Sequence, residues 1–141
     1  MKALDPYLNF PGNTEEAFNF YKSVFGGEFV TLMRMKDTPG CENLPADDLD
    51  KIMHIALPVG GNILMATDLV GPMADSMVAG TNISLTISPD SREEADQLYA
   101  ALSAGGQATV PMHQEFFGYF GMLTDKFGIQ WMLSFDENLT P

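Results

Sequence analysis

The stretch "NTEEAFNFYKSVFGGE", residues 13–28, has an echo later in the chain, "SREEADQLYAALSAGGQ" at residues 91–107. Each copy opens as a helix with a capping box. Asn13 stands three residues before Glu16, and Ser91 three before Glu94, so that a short polar side chain can accept a backbone N–H while the Glu reaches back. Apolar residues then recur at helical spacing: Ala17, Phe18, Tyr21, Val24 and Phe25 in one copy, Ala95, Leu98, Tyr99 and Leu102 in the other. Each copy stops at a glycine pair, Gly26-Gly27 and Gly105-Gly106, where the left-handed conformation that ends a helix is sterically cheap. The separation from Asn13 to Ser91 equals that from Tyr21 to Tyr99. Agreement of cap, stripe and stop points to an internal duplication.

The flanking segments extend the repeat. "LDPYLNF" (4–10) and "TNISLTIS" (81–88) alternate with period two and read as strands. Leu4, Leu8 and Phe10 share one face of the first, and Ile83, Leu85 and Ile87 one face of the second; these apolar faces should pack under the helices. After the first helix come "EFVTLMRM" (28–35), a Pro- and Asp-rich loop to about Asp50, and "KIMHIALPVGGNILMATD" (51–68), two strands joined at Gly60-Gly61. After the second come "QATVPMH" (107–113) and "EFFGYFGMLTDKFGIQWMLSF" (115–135), turning at 125–128. Matching the turns sets Gly61 on Gly128 and Met65 on Met132.

The fold expected is α+β: two βαβββ modules forming a curved mixed sheet around a cup, with the helices outside. The 141 residues fit one domain, with module 1 at about 1–68, a linker at about 69–80 and module 2 at about 81–137. Polar strand faces would line the cup, where a small molecule could be held.

Composition narrows the function classes. A net charge of −12 would repel nucleic acid and anionic membrane surfaces. Cys41 is the only cysteine, so neither an intramolecular disulfide nor a thiolate cage is available, and its Pro/Gly loop contains no His to activate a thiol. No signal-peptide pattern or membrane-length apolar run occurs, so a cytoplasmic location is expected.

The stretches "YLNFPGNTEEAFNFYKSVFGGE", "KIMHIALPVGGNILMATD", "NISLTIS" and "QEFFGYFGMLTDKFGIQWML", in this order, resemble the PhnB-like group of the vicinal oxygen chelate superfamily. That superfamily includes glyoxalase I, extradiol dioxygenases, and fosfomycin and bleomycin resistance proteins. The resemblance implies paired βαβββ modules and commonly a homodimer. An older label, demethylubiquinone methyltransferase, is set aside, because no Gly-rich strand-to-helix loop of the kind a nucleotide-like methyl donor needs is present.

In metal-using members of that superfamily, ligands come from the first and last strands of each module and are usually His or Glu. Carried over by position, those places fall on Asp5, Met65, Asn82 and Met132. Thioethers are soft donors unsuited to zinc, magnesium or manganese. No metal site and no cofactor are therefore predicted; a divalent metal, with a shifted site using His54, is the disfavoured alternative.

His54, in "KIMHIAL", should share the concave face and is the candidate catalytic base. The other expected ligand-binding residues are Asp5, Tyr7, Asn9, Met65, Asn82, Ser84 and Met132. Phe117 and Tyr119 are also expected to face the cup, Phe120 and Trp131 to lie in the core, and His113 to sit in a loop with Glu115 as a candidate partner. The leading function is a small-molecule-binding homodimer of the glyoxalase-like fold without the usual metal ligands. The alternative is a metal-dependent lyase, isomerase or dioxygenase.

Overall fold

The computed structural model describes residues 1–137. The chain divides into two compact units, the first Met1–Val78 and the second from Ala79 onward. In the first unit, β1 (Tyr7–Phe10) leads into α1 (Thr14–Phe25), followed by β2 (Thr31–Arg34), β3 (Ile52–Val59) and β4 (Asn62–Asp68). A short helix, α2 (Pro72–Asp75), lies within the segment expected to be a plain linker. In the second unit the same order recurs as β5 (Leu85–Ile87), α3 (Arg92–Ser103), β6 (Gln107–Glu115), β7 (Gly118–Thr124) and β8 (Gln130–Phe135).

Both sheets have four strands in equivalent order, β1-β4-β3-β2 and β5-β8-β7-β6. In each, the first strand runs parallel to the last and the remaining pairs are antiparallel. A parallel pair needs a long crossover, and each unit supplies one with its helix and two intervening strands. The architecture is thus α+β, two βαβββ modules, as the duplication implies.

Helices α1 and α3 each cover one face of the sheet of their own unit. In the first unit Ala17, Phe18 and Tyr21 are fully buried with Ile55, Leu57 and Ala66, alongside Phe10 and Leu64. Each such large apolar side chain contributes about 1.5–3 kcal/mol by leaving water. In the second unit Ala95 and Leu102 are fully buried with Leu133, alongside Leu123 and Trp131. The burial rhythm of Leu64-Met65-Ala66 repeats in Trp131-Met132-Leu133, the middle residue of each being the less buried.

Alignment through Met65 and Met132 sets Tyr7 on Thr86 and Phe10 on Pro89, both of the latter pair buried. Pro11, Gly12 and Asn13 then separate Phe10 from Thr14, whereas only Asp90 and Ser91 separate Pro89 from Arg92. The second connection is one residue shorter.

The two helix starts differ from the expected symmetry. Ser91 caps α3, its hydroxyl accepting from the Glu94 amide at 3.0 Å, while Glu94 reaches back to the Asp90 amide at 2.9 Å. Asn13 forms no cap bond, and its Oδ1 is buried without a partner. At α1 the donor is satisfied from the sheet: Asp68, buried at the end of β4, accepts from the Thr14 amide at 3.0 Å and from the Ile52 amide at 2.7 Å. A carboxylate there also complements the positive end of the helix dipole. The strands begin later than alternation suggested. Leu4 and Ile83 lie outside them, 85% and 73% exposed, because neither reaches under a helix.

Candidate functional site on the helix-free sheet faces

Strand register fixes which side chains share the face away from α1. Tyr7 pairs with Met65, Met65 with Ala56, and Ala56 with Thr31, while Asn9 pairs with Thr67 and His54 with Met33. Because directly paired residues point to one side of a sheet, Tyr7, Asn9, His54 and Met65 lie on a common face. Asp5 precedes β1. Its Oδ1 accepts from the Asn62 side chain at 3.2 Å and the Ile63 amide at 3.0 Å, so this carboxylate ties the N-terminal segment to β4.

Within that face, Tyr7 and His54 form a pair. The phenol oxygen is 3.0 Å from Nδ1 of His54, and the rings stack with centroids 5.6 Å apart and planes inclined by 26°. Partial burial pushes the Tyr7 hydroxyl above its ordinary value, so it stays protonated at any physiological pH.

In the second unit the corresponding row is Thr86, Met132 and Met122. The Thr86 hydroxyl lies 3.9 Å from the Met132 sulfur. Asn82 and Ser84 come before β5, Asn82 exposed and Ser84 half-buried, so neither joins the ladder with Met132. A cavity of about 580 Å³ opens at the ends of the parallel pair β5/β8, lined by residues including Thr86, Ser88, Asp90, Phe117, Ser134 and Phe135. The alternating hydroxyls of "TNISLTIS" were its sequence signal. Phe135, Asp136 and Glu137 had none, since only the course of the chain at the end of β8 brings them there.

The register corrects the expectations for Phe120 and Tyr119 but not that for Trp131. Trp131 is core, its indole N–H donating to the buried Asp125 at 2.8 Å. Phe120 pairs with Ser134, two positions along the strands from the Met122–Met132 pair, and so lies on the helix-free face. Tyr119 lies on the opposite face, its hydroxyl donating to Asp96 of α3 at 2.6 Å beneath the Arg92 guanidinium. The shift of strand phase at Gly118 caused the misreading. Phe117 does line the cavity.

His113 lies in β6 and not in a loop, and Glu115 is its partner. Its Nδ1 faces the Pro111 carbonyl at 2.8 Å and its Nε2 the Glu115 carboxylate at 2.9 Å. Two acceptors favour the doubly protonated ring, which raises its pKa, the Pro111 carbonyl contributing most and Glu115 next.

On the helix-free faces, Met65 pairs across the first and last strands with Tyr7 in the first unit, and Met132 pairs with Thr86 in the second. Neither the phenol and thioether of the first unit nor the hydroxyl and thioether of the second fit a hard divalent ion, which takes carboxylate or imidazole donors at about 2.0–2.2 Å. Among the described residues, no three of His, Cys, Asp and Glu are grouped to hold a metal.

A family model described as 3-demethylubiquinone-9 3-methyltransferase matches residues 2–134. The crystal structure of protein PA1353 from Pseudomonas aeruginosa is 37% identical, with a TM-score of 0.80 over 95% of this chain and 98% of that one. The PhnB protein of Bacillus cereus is 28% identical, with a TM-score of 0.78 over 96% and 100%. Protein YjdN of Escherichia coli is 26% identical over 140 residues, 93% of each chain. With its matching order of strands in both units, the chain belongs to the 3-demethylubiquinone-9 3-methyltransferase family, a PhnB-like group with the fold of the glyoxalase/bleomycin resistance/dioxygenase superfamily.

Proposed function

We propose that the protein binds a small organic molecule against its helix-free sheet faces without a hard divalent metal. The observation that carries this reading is that two of the four positions to which the resemblance carries the metal ligands are the thioethers Met65 and Met132, paired on the helix-free faces with Tyr7 and Thr86, while a third, Asp5, has its carboxylate engaged by the Asn62 side chain and the Ile63 amide. Thioethers and ring faces make an adaptable apolar surface, and in the second unit the cavity of about 580 Å³ beside Thr86, lined by phenylalanines, hydroxyls and carboxylates, is of ligand size. Asp5, Asn82 and Ser84 border these faces and are not assigned contacts with the ligand. The family description names a methyl transfer. The connections leading into α1 and α3, Pro11-Gly12-Asn13 and Asp90-Ser91, contain one glycine between them and offer no cradle for a nucleotide-like donor. The family resemblance supports a homodimer, which light scattering of the purified protein tests, and a cytoplasmic location is expected.

The deciding experiment combines elemental analysis of protein purified without chelators with a thermal-shift screen of small molecules repeated after EDTA treatment. Sub-stoichiometric metal and ligand shifts that survive EDTA are expected. Stoichiometric zinc, manganese or iron, with shifts abolished by EDTA and restored by one metal, would transfer support to the metal-dependent lyase, isomerase or dioxygenase.

A further inference from the structure

We propose that Tyr7 is a positioning residue that holds His54 as its Nε2–H tautomer, so that the helix-free face of the first unit presents a hydrogen-bond donor to an acceptor oxygen of its ligand. The donor role rests on the reading that this face binds a ligand; the tautomer does not.

Two hydrogen bonds are compatible with the 3.0 Å separation of Tyr7 Oη and His54 Nδ1. In one the phenol donates to an unprotonated Nδ1; in the other Nδ1–H donates to the phenol oxygen. The first is much the stronger. A pyridine-type imidazole nitrogen is a good acceptor, whereas the phenol oxygen delocalises its lone pair into the ring, and the phenol is by far the better donor. Partial burial of the Tyr7 hydroxyl makes loss of its proton harder still. Which ring nitrogen of a histidine carries the proton is set by the hydrogen bond that the other nitrogen makes. With Nδ1 accepting, the single proton of neutral His54 sits on Nε2.

Among the described residues, no hydrogen bond reaches that nitrogen. The ring is held from one side by stacking on Tyr7, and from the neighbouring strand Met33 is its cross-strand partner, a side chain with no donor to compete. The consequence runs against the expectation that His54 is a base. A general base acting through Nε2 needs a lone pair there, hence a proton on Nδ1 and the weaker bond to Tyr7. The arrangement instead favours polarising a carbonyl or binding another acceptor oxygen.

The chain has only two histidines, which makes the test direct. Uniformly 15N-labelled full-length protein, in EDTA and well above the ordinary histidine titration range, is observed through long-range imidazole 1H–15N correlations, with His113→Asn assigning the second ring. Expected for His54 are a pyrrole-type Nε2 and a pyridine-type Nδ1 displaced by the accepted hydrogen bond. In Tyr7→Phe that displacement should vanish and the two nitrogens should move toward each other, with His113 unchanged. A pyrrole-type Nδ1 in the unmodified protein, or His54 shifts unaltered by Tyr7→Phe, would overturn the proposal. The unmodified protein alone decides the tautomer should the variant fail to fold. Because the spectra are recorded in chelator and without ligand, their outcome is independent of the metal analysis. Metal at His54 would show separately, as spectra that change when EDTA is added.

Discussion

Asp68 and Thr14 lie 54 residues apart in sequence, yet the Thr14 amide donates to Asp68 Oδ1 at 3.0 Å. The same carboxylate takes the Ile52 amide at 2.7 Å, so one side chain joins the start of α1, the start of β3 and the end of β4. Hydrogen bonds to a charged group are worth about 1.5–3 kcal/mol each, and removing the acceptor strands both donors. Asp68→Ala is therefore expected to cost about 3 kcal/mol or more in denaturant unfolding. Ser91→Ala, which removes a local cap, should cost about 1 kcal/mol. Asn13→Ala should fall within about 0.5 kcal/mol, because its side chain caps nothing.

Thr14 offers a complementary test. Its hydroxyl oxygen is buried without a partner, as is Asn13 Oδ1. Thr14→Val keeps the shape and removes the unsatisfied group, so the unfolding midpoint should stay level or rise.

The Tyr99 hydroxyl lies 2.9 Å from the Val110 carbonyl and 3.1 Å from that of Met122, two residues paired where the β6–β7 register shifts. It fills the gap that the irregularity opens in the ladder. Tyr99→Phe should destabilise by about 1–2 kcal/mol, leaving carbonyls without that donor. Amide exchange should rise along β6 and β7 and not in the first unit.

Two ion pairs predict opposite pH dependences. The Arg34 guanidinium grips Glu15 bidentately, at 2.7 and 3.0 Å, and holds its carboxyl below the ordinary value. Its contribution is present above the unfolded glutamate pKa, about 4.3, and is lost as pH falls through the lower folded value. Since Glu15 is 45% exposed, solvent and salt limit the pair to about 0.5 kcal/mol. Arg34→Gln should remove that part of the acid sensitivity. His113 is raised, so its contribution is complete below the unfolded histidine value and fades as pH rises through the folded one. NMR titration of Glu115→Gln should return the His113 midpoint part of the way, the Pro111 carbonyl retaining the rest.

Backbone proximity separates two glycines. A Cβ at Gly106 would collide with the Thr124 carbonyl oxygen and the Asp125 backbone, none of which can swing away, whereas at Gly61 nothing lies within 4 Å and φ is not positive. Gly106→Ala is expected to lower stability by about 2–4 kcal/mol, and Gly61→Ala by less than about 1 kcal/mol. Thermal melts of the two variants make the comparison.

The duplication was legible because helix stripes and glycine stops are local, and α1 and α3 each span the residues the pattern marked. Strand beginnings were less legible. Leu4 and Ile83 continue the alternation in sequence but project beyond the area a helix covers. Asp68 as a cap could not be read, because its role needs β4 to end beside α1. Tyr7, Asn9 and His54, read by period two, share a face with Met65, read by matching positions, since register carries one phase across three strands. Asn82 rests on matching positions and Ser84 on the alternation of "TNISLTIS", but β5 begins only at Leu85. The Tyr119/Phe120 phase failed at the Phe116–Phe117 turn, where the glycine at 118 has a φ of +145° and restarts the pleat.

The single missing residue between Pro89 and Arg92 shows where this duplicated chain could tolerate drift. Had it been lost inside β5, every later side chain of that strand would have been turned inside out. Lost in the connector, it leaves the two-residue and 3.6-residue rhythms undisturbed, and α3 still presents Ala95 and Leu102 to its sheet as α1 presents Ala17. Divergence in length between the halves has been absorbed where neither rhythm runs.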